Sequence, residues 1–315
     1  MTDKFKTEYP NVILSNGIIN TVVFLPDAEK GYYRSCRYDW SGMIWQLKYK
    51  NHTYFGEVMK PRKPTDVNYG IGLADEFRVG KMPDVPLGYD EAKPGDTFIK
   101  VGVGMLERID EKDYFFGIQY RMVKLFNWDV KYGKTWIEFI QKAKNENGFG
   151  YEYIKRIELI DNKPELSVYH YFRNTGVKSI KTSQYCHNFF IIDNDPIGRN
   201  YQVEFPFLAR AKKDLNGIAV VEGKTIYLKE NLKEPIFSEI DGYSDSVSDN
   251  RFIIRNIKTG AEIECKNDFS MQFLFFYADK NVICPEPFID LQLATGEAKE
   301  WTGLYSFKST KISVL

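Results

Sequence analysis

The chain is written in short runs that alternate apolar and polar residues or stay apolar for four to eight positions, with turn residues between them at fairly even spacing. Such runs are "TVVFLP" (21–26), "MIWQLKYK" (43–50), "TWIEFIQKA" (135–143), "YIKRIELI" (153–160) and "ELSVYHYF" (165–172). Further on come "NFFIID" (188–193), "IAVVEGKTIYL" (218–228), "FIIRNIKTGAEIEC" (252–265), "MQFLFFYA" (271–278) and "FIDLQLATGEAKEWTGLYSF" (288–307). Asn, Asp and Gly in "DNKP" (161–164), "RNTG" (173–176), "EGK" (222–224) and "KTG" (258–260) supply the turn conformations that hairpins need. No window of a dozen residues carries a capped stripe of period 3.6; the nearest, "LADEFR" (73–78), reads as a short helix. The pattern predicts an all-β chain, a large antiparallel β-sandwich with few short helices.

With 315 residues, 43 % of them hydrophobic, there is material for one sizeable core, and β-sandwiches exceed 200 residues as single units, so residues 1–315 read as one domain. Aromatic residues, at 16 %, come mostly from Phe and Tyr and favour strands. Between 56 and 104 the composition turns to Pro, Gly and charge, the mark of a long surface excursion.

The 43 basic and 43 acidic residues cancel without a Lys/Arg cluster, which argues against nucleic acid and anionic membrane surfaces as partners. The N-terminal stretch has no apolar core of a leader, and no run reaches the ~20 apolar residues of a membrane span, so the expectation is a cytoplasmic protein, monomer or homodimer. Cys36, Cys186, Cys265 and Cys284 lie far apart with no CxxC pair and read as buried free thiols.

Three places could carry chemistry. In "TSQYCHNFFIIDNDPIG" (182–198) a strand would put His187 and Phe189 on one face and Asn188 on the other, leaving the imidazole half desolvated and addressable. In "CPEP" (284–287) two prolines bracket Glu286 before a strand, a stiff turn that aims the carboxylate. In "YYRSCRYDWSGMIWQ" (32–46) Arg34, Arg37 and Asp39 alternate along a strand beside Trp40, a combination that suits sugars, whose C–H faces stack on rings while their hydroxyls take polar contacts. His52 falls in a turn and reads as structural.

Together, "YRSCRYDWSGMIWQLKYKNHTYFG", "GLADEFR", "FIKVGVGML", "CHNFFIIDNDPIG" and "CPEPFIDLQLATGEAKEWTGLYSF" resemble the galactose mutarotase-like proteins, the aldose 1-epimerase superfamily. The resemblance spans roughly 30–307 and is nearest to bacterial members outside the well-studied galactose mutarotases. It implies a supersandwich fold and interconversion of the anomers of a free or terminal sugar. It also implies His187 as general acid, Glu286 as general base and Arg37 as a substrate-binding residue; Arg34, Asp39, Asn188 and Trp40, from the reading of the residues themselves, are further candidates to contact the sugar. The chain departs from the pattern in having no histidine in 98–120, where those mutarotases carry a second one. The acid that meets a distal hydroxyl stays open among Asp241, Asp245 and Asp249.

That chemistry needs a base for the anomeric hydroxyl proton and an acid for the ring oxygen; the open aldehyde then rotates and recloses. At reference pKa values the carboxylate is ionised at pH 7 and roughly a quarter of the imidazole is protonated. No cofactor and no metal are expected, and no phosphate-binding glycine motif is present. Two other readings compete: a carbohydrate-binding or sensing module without catalysis, and a hexose-phosphate epimerase using Lys60, Arg62, Lys63 or Arg78.

Overall fold

The computed structural model describes residues 7–56, 63–78 and 85–310. These form four antiparallel sheets of ten, six, four and three strands; among the described residues the only helical element is a 3-10 turn at Val247–Asp249. The ten-stranded sheet contains, as neighbours, Ala261–Asn267, Ala298–Ser309, Glu165–Asn174, Gly150–Leu159 and Trp136–Lys144. The six-stranded sheet runs in the order Arg210–Ala211, Ile236–Asp241, Phe273–Ala278, Ile283–Leu293, Ile180–Phe189, Gly72–Arg78. Among the described residues no helix is long and apolar enough to cross a membrane.

Alternation along the strands with one wet face makes the outer side of the sandwich. Glu165–Asn174 is a case: Leu166, Val168, His170 and Phe172 are buried while the residues between them are more exposed. The turn residues act as expected, with Asn162 at φ 58°, Gly223 at φ 61° and Gly260 at φ 76°, where the left-handed region favours Asn and Gly. The ten- and six-stranded sheets meet through polar as well as apolar contacts. Trp301 Nε1 donates to Gln184 Oε1 at 3.0 Å and Tyr305 OH to Asn188 Oδ1 at 3.0 Å.

A charged cluster lies in the same interior. Lys155 Nζ is 2.6 Å from Asp75 Oδ2 and 3.9 Å from Asp39 Oδ2, and donates to Ser41 O at 2.9 Å. His170 Nε2 reaches Asp75 Oδ2 at 2.9 Å and Gln184 Nε2 donates to Asp75 Oδ1 at 2.7 Å. The other face of the six-stranded sheet packs against an aromatic core that includes Tyr38, Tyr69, Phe98, Tyr114, Tyr120, Phe189 and Cys284.

Four local expectations are corrected. Residues 73–78 are a strand, not a helix: Gly72–Arg78 is the edge strand beside the histidine strand, with Ala74 opposite His187. Its periodicity is hidden because both faces are buried, Asp75 toward the sandwich interior and Glu76 toward the aromatic core. Residues 32–43 form bends rather than a strand, so Arg34, Arg37 and Asp39 do not share a face by alternation. The histidine strand occupies 180–189 and gives way to a turn at Asp193–Asn194, instead of continuing to 193. Finally, Glu286 lies inside the strand Ile283–Leu293, paired with Phe275, and not in a turn ahead of it.

Gly72 opens the edge strand at φ 60°, and a Cβ there would lie 2.0 Å from the carbonyl oxygen of Ile44. Gly72→Ala is therefore expected to cost about 2–4 kcal/mol, read as a lower urea midpoint with an unchanged slope.

Candidate active site

His187 and Glu286 are neighbours across two central strands. The ladder between Ile180–Phe189 and Ile283–Leu293 runs from Ile180↔Leu293 to Tyr185↔Phe288 and resumes in the same register at Phe190↔Ile283, which sets His187 opposite Glu286. The Ile283 N–H bonds Phe190 O at 3.0 Å, so the next bonding positions along the strand fall on residues 285 and 287. Both are prolines and have no N–H to give. The Asn188 side chain takes up part of the gap, donating to Pro285 O at 2.8 Å and to Cys186 O at 3.1 Å. The proline bracket thus interrupts the ladder at the level of the candidate pair.

His187 Nδ1 lies 3.1 Å from Glu286 Oε1, and their side chains keep 9 % and 7 % of their accessible surface. The alignment is not that of a formed hydrogen bond, and both atoms are buried without another partner. The imidazole stacks on Phe189, with centroids 3.9 Å apart and planes at 7°, and meets Tyr38 and Tyr277 edge-on at 5.9 and 5.8 Å. These rings fix its orientation.

Arg37 approaches from the bends at 32–43. Its guanidinium is held between the rings of Tyr38 and Phe116, at 4.6 and 4.2 Å. Nε donates to Glu76 Oε2 at 2.9 Å, Nη1 to Asn68 Oδ1 at 2.7 Å and Nη2 to Tyr185 OH at 3.3 Å. Glu76 also accepts from Tyr185 OH at 2.6 Å and faces Lys100 Nζ at 3.4 Å. Burial pushes the Glu76 carboxyl up, but Arg37 first, then Lys100 and Arg78, more than offset this and hold it well below the usual range.

The pair itself is shifted the other way. Burial pushes the Glu286 carboxyl up to about 8 against the opposing pull of Arg37 and Arg78, and burial together with the same two arginines drives the His187 imidazole well below its ordinary value. Burial thus favours the neutral form of both groups, a protonated Glu286 beside an unprotonated His187. Reference values leave the carboxylate ionised and most of the imidazole neutral; burial shifts the carboxyl toward its protonated form and deepens the neutrality of the imidazole. Cys284 joins His187 and Glu286 in offering a ligand atom, all within 4.8 Å of one another, the spacing of a three-ligand metal set. The positive field of Arg37 and Arg78 on this spot opposes a cation, and we read the group as a proton-handling pair.

Of the residues singled out in the sequence, the fold brings together His187, Glu286 and Arg37. Asn188 points to the opposite face, toward Tyr305. Asp39 belongs to the interior cluster, bonded to Ser41 and Tyr153. Trp40 is buried with Nε1 on Ser35 O at 2.7 Å, and Arg34 is half-buried with its guanidinium on Glu29 O at 2.7 Å. Asp241 lies at the end of a strand in contact range of Lys212, and Asp249 bonds Ser244. Of the cationic candidates, Lys60 and Arg62 fall outside the described residues, Lys63 is exposed, and Arg78 stands 4.9 Å from the Phe116 ring and 5.8 Å from that of Tyr185. Sequence reasoning did not find Glu76, Tyr185 or Lys100. The adjacent acids of "GLADEFR" were the signal, since two charges in an otherwise apolar strand need partners.

Comparison with solved structures places this architecture. The Slr1438 protein from Synechocystis sp. PCC 6803 superposes with a TM-score of 0.59 at 11 % identity, over 98 % of this chain and 100 % of that one. A galactose mutarotase related enzyme from Lactobacillus acidophilus does so with a TM-score of 0.55 at 12 % identity, over 95 % and 98 %. The chain has the galactose mutarotase-like fold. An aldose epimerase homologue from C. elegans shares it too, with a TM-score of 0.56 at 12 % identity over 96 % and 99 %. No protein-family model and no curated protein matches the sequence. At these identities the galactose mutarotase-like likeness is one of fold, and the chemistry must be argued from the residues.

Proposed function

We propose that the protein is an aldose 1-epimerase-like enzyme that interconverts the anomers of a free or terminal sugar. The observation that carries this is the His187–Glu286 pair: two proton-handling groups 3.1 Å apart, oriented by aromatic rings and flanked by an arginine. In the resting site neutral His187 can accept the anomeric hydroxyl proton while protonated Glu286 gives one to the ring oxygen. The C1–O5 bond breaks, the aldehyde rotates about C1–C2, and reclosure from the other face returns both protons. Each group is thus base in one direction and acid in the other, with His187 working on the anomeric oxygen and Glu286 on the ring oxygen, the opposite placement to the one the family resemblance implies. Arg37, clamped by Glu76, Asn68 and Tyr185, presents its remaining N–H groups to sugar hydroxyls. A soluble, cytoplasmic setting accords with such a substrate.

Polarimetry of fresh α-anomers over an aldose panel tests this. A rate above buffer is expected, falling about 10²–10⁴-fold in His187→Asn with native circular dichroism retained. A folded protein with no rate enhancement toward any aldose, yet binding one by calorimetry, would instead make it a carbohydrate-binding module. The charge of Arg78 acting on both members of the pair favours, as a second reading, a sugar bearing an anionic group. Comparing each aldose with its phosphate ester separates the two.

A further inference from the structure

A second constellation lies outside this site and shares no residue with it. His52, in the short strand His52–Thr53, places Nδ1 2.8 Å from Asp193 Oδ2 and Nε2 3.1 Å from Ser309 Oγ. Asp193 comes from the turn that follows the histidine strand and Ser309 is the last residue of Ala298–Ser309, so three separate elements converge on one imidazole. We infer that Asp193, His52 and Ser309 form a hydrolase-type triad in which Ser309 is an activated nucleophile toward small acyl esters.

The roles follow from the bonds. Asp193 as a carboxylate can only accept, so His52 carries its proton on Nδ1, and Nε2 presents a lone pair to the Ser309 hydroxyl. The orienting acid is itself held on both sides: Asp193 Oδ1 accepts from the Thr53 N–H at 2.9 Å, and the Asp193 N–H bonds Thr53 O at 2.9 Å. Asp193 adopts φ 54°, a conformation that Asp tolerates better than most side chains, and this turn returns its carboxylate to the ring. Ser309 is anchored by its pairing with Ala261. Nucleophile, base and orienter are recognised by such geometry and not by sequence order. His52 and Asp193 keep 14 % and 20 % side-chain exposure and Ser309 is half-buried, so the hydroxyl is open to a small reagent.

With an acyl ester, Ser309 Oγ bonds the carbonyl carbon as His52 Nε2 takes its proton. The ester C–O bond breaks, the alcohol leaves with that proton, and water releases the acid from the serine by the same route. An activated phosphonyl group reacts likewise, forming a P–O bond to Oγ and expelling fluoride. A good leaving group makes nucleophile activation the main demand on the site.

A fluorophosphonate probe with peptide mapping tests the triad on the full-length protein. Expected is labelling of Ser309 that falls at least ~10²-fold in His52→Ala and at least tenfold in Asp193→Asn, is absent in Ser309→Ala, and is unchanged in His187→Asn. If His52→Ala lacks native near-UV dichroism, His52→Gln, which keeps a polar contact without a base, takes its place. The native chain against the urea-unfolded chain gives a comparison that needs no variant. Labelling of Ser309 no faster than in the unfolded chain, or equal in native wild type and a folded His52 variant, overturns the inference and leaves the three side chains as a structural tie.

Discussion

Glu286→Gln is expected to remove activity and at the same time make the protein more stable. The activity loss, about 10²–10⁴-fold, reflects the missing proton carrier. The stability gain follows from the sign of the shift. A carboxyl whose folded pKa is about 8, against 4.5 when free, holds a proton in the folded state that the unfolded chain has released between those values. The slope of stability with pH is negative there: Glu286 destabilises the fold progressively from about pH 4.5 to 8 and by a constant amount above. Glutamine is neutral throughout, so the variant should gain on the order of 4 kcal/mol at pH 8 and almost nothing at pH 4. Asp39, raised by burial to about 6, contributes a similar slope only at lower pH, so the flattening between pH 6 and 8 is the signature of Glu286. Urea midpoints at pH 4, 6 and 8 for both proteins measure it; parallel curves would show that Glu286 is already ionised in the fold. A site that works by holding a proton against solvent carries this cost.

The largest loss of stability should come from the interior cluster. Lys155 is completely buried, and burial, which lowers its pKa, is outweighed by Asp75 and then Asp39, so it stays charged. Removing the ammonium in Lys155→Met leaves two carboxylates facing each other between the sheets, with only His170, Gln184, Ser41 and Tyr153 to satisfy them. We expect a loss of about 3–5 kcal/mol, a large share of the total for a domain of this kind. The loss should be smaller near pH 4, where the two acids can take up protons. The double change Lys155→Met with Asp75→Asn should recover part of it. Urea unfolding at pH 4 and 8 reads both; an effect under 1 kcal/mol at pH 8 would show that the cluster is solvated.

The strands with one wet face were legible because alternation marks them, and the hairpins at 161–164, 222–224 and 258–260 because their turns call for Asn or Gly. The edge strand Gly72–Arg78 was not, since both of its faces are covered and its charges are neutralised from elements far along the chain. His187 and Glu286 could be singled out by residue type and, with the resemblance, paired. The register that sets them face to face depends on the ladder on either side of the gap, which no local pattern encodes. Asp39 and Asn188 show the converse: both are polar and close in sequence to Arg37 and His187, yet strand alternation and the bends of 32–43 carry them to the other face of the sheet. Burial also overrode the reference protonation of Glu286, because desolvation is a property of the folded surroundings and not of the residue.

Pro285 and Pro287 have a mechanical consequence. A β-sheet resists widening because each rung must stretch, and where two donors are missing fewer rungs hold the adjoining strands together. Glu286 and its histidine neighbour ride on that compliant stretch, clamped above by Tyr185↔Phe288 and below by Phe190↔Ile283. With fewer rungs to stretch at this level, the two strands oppose an incoming ring less here than on either side.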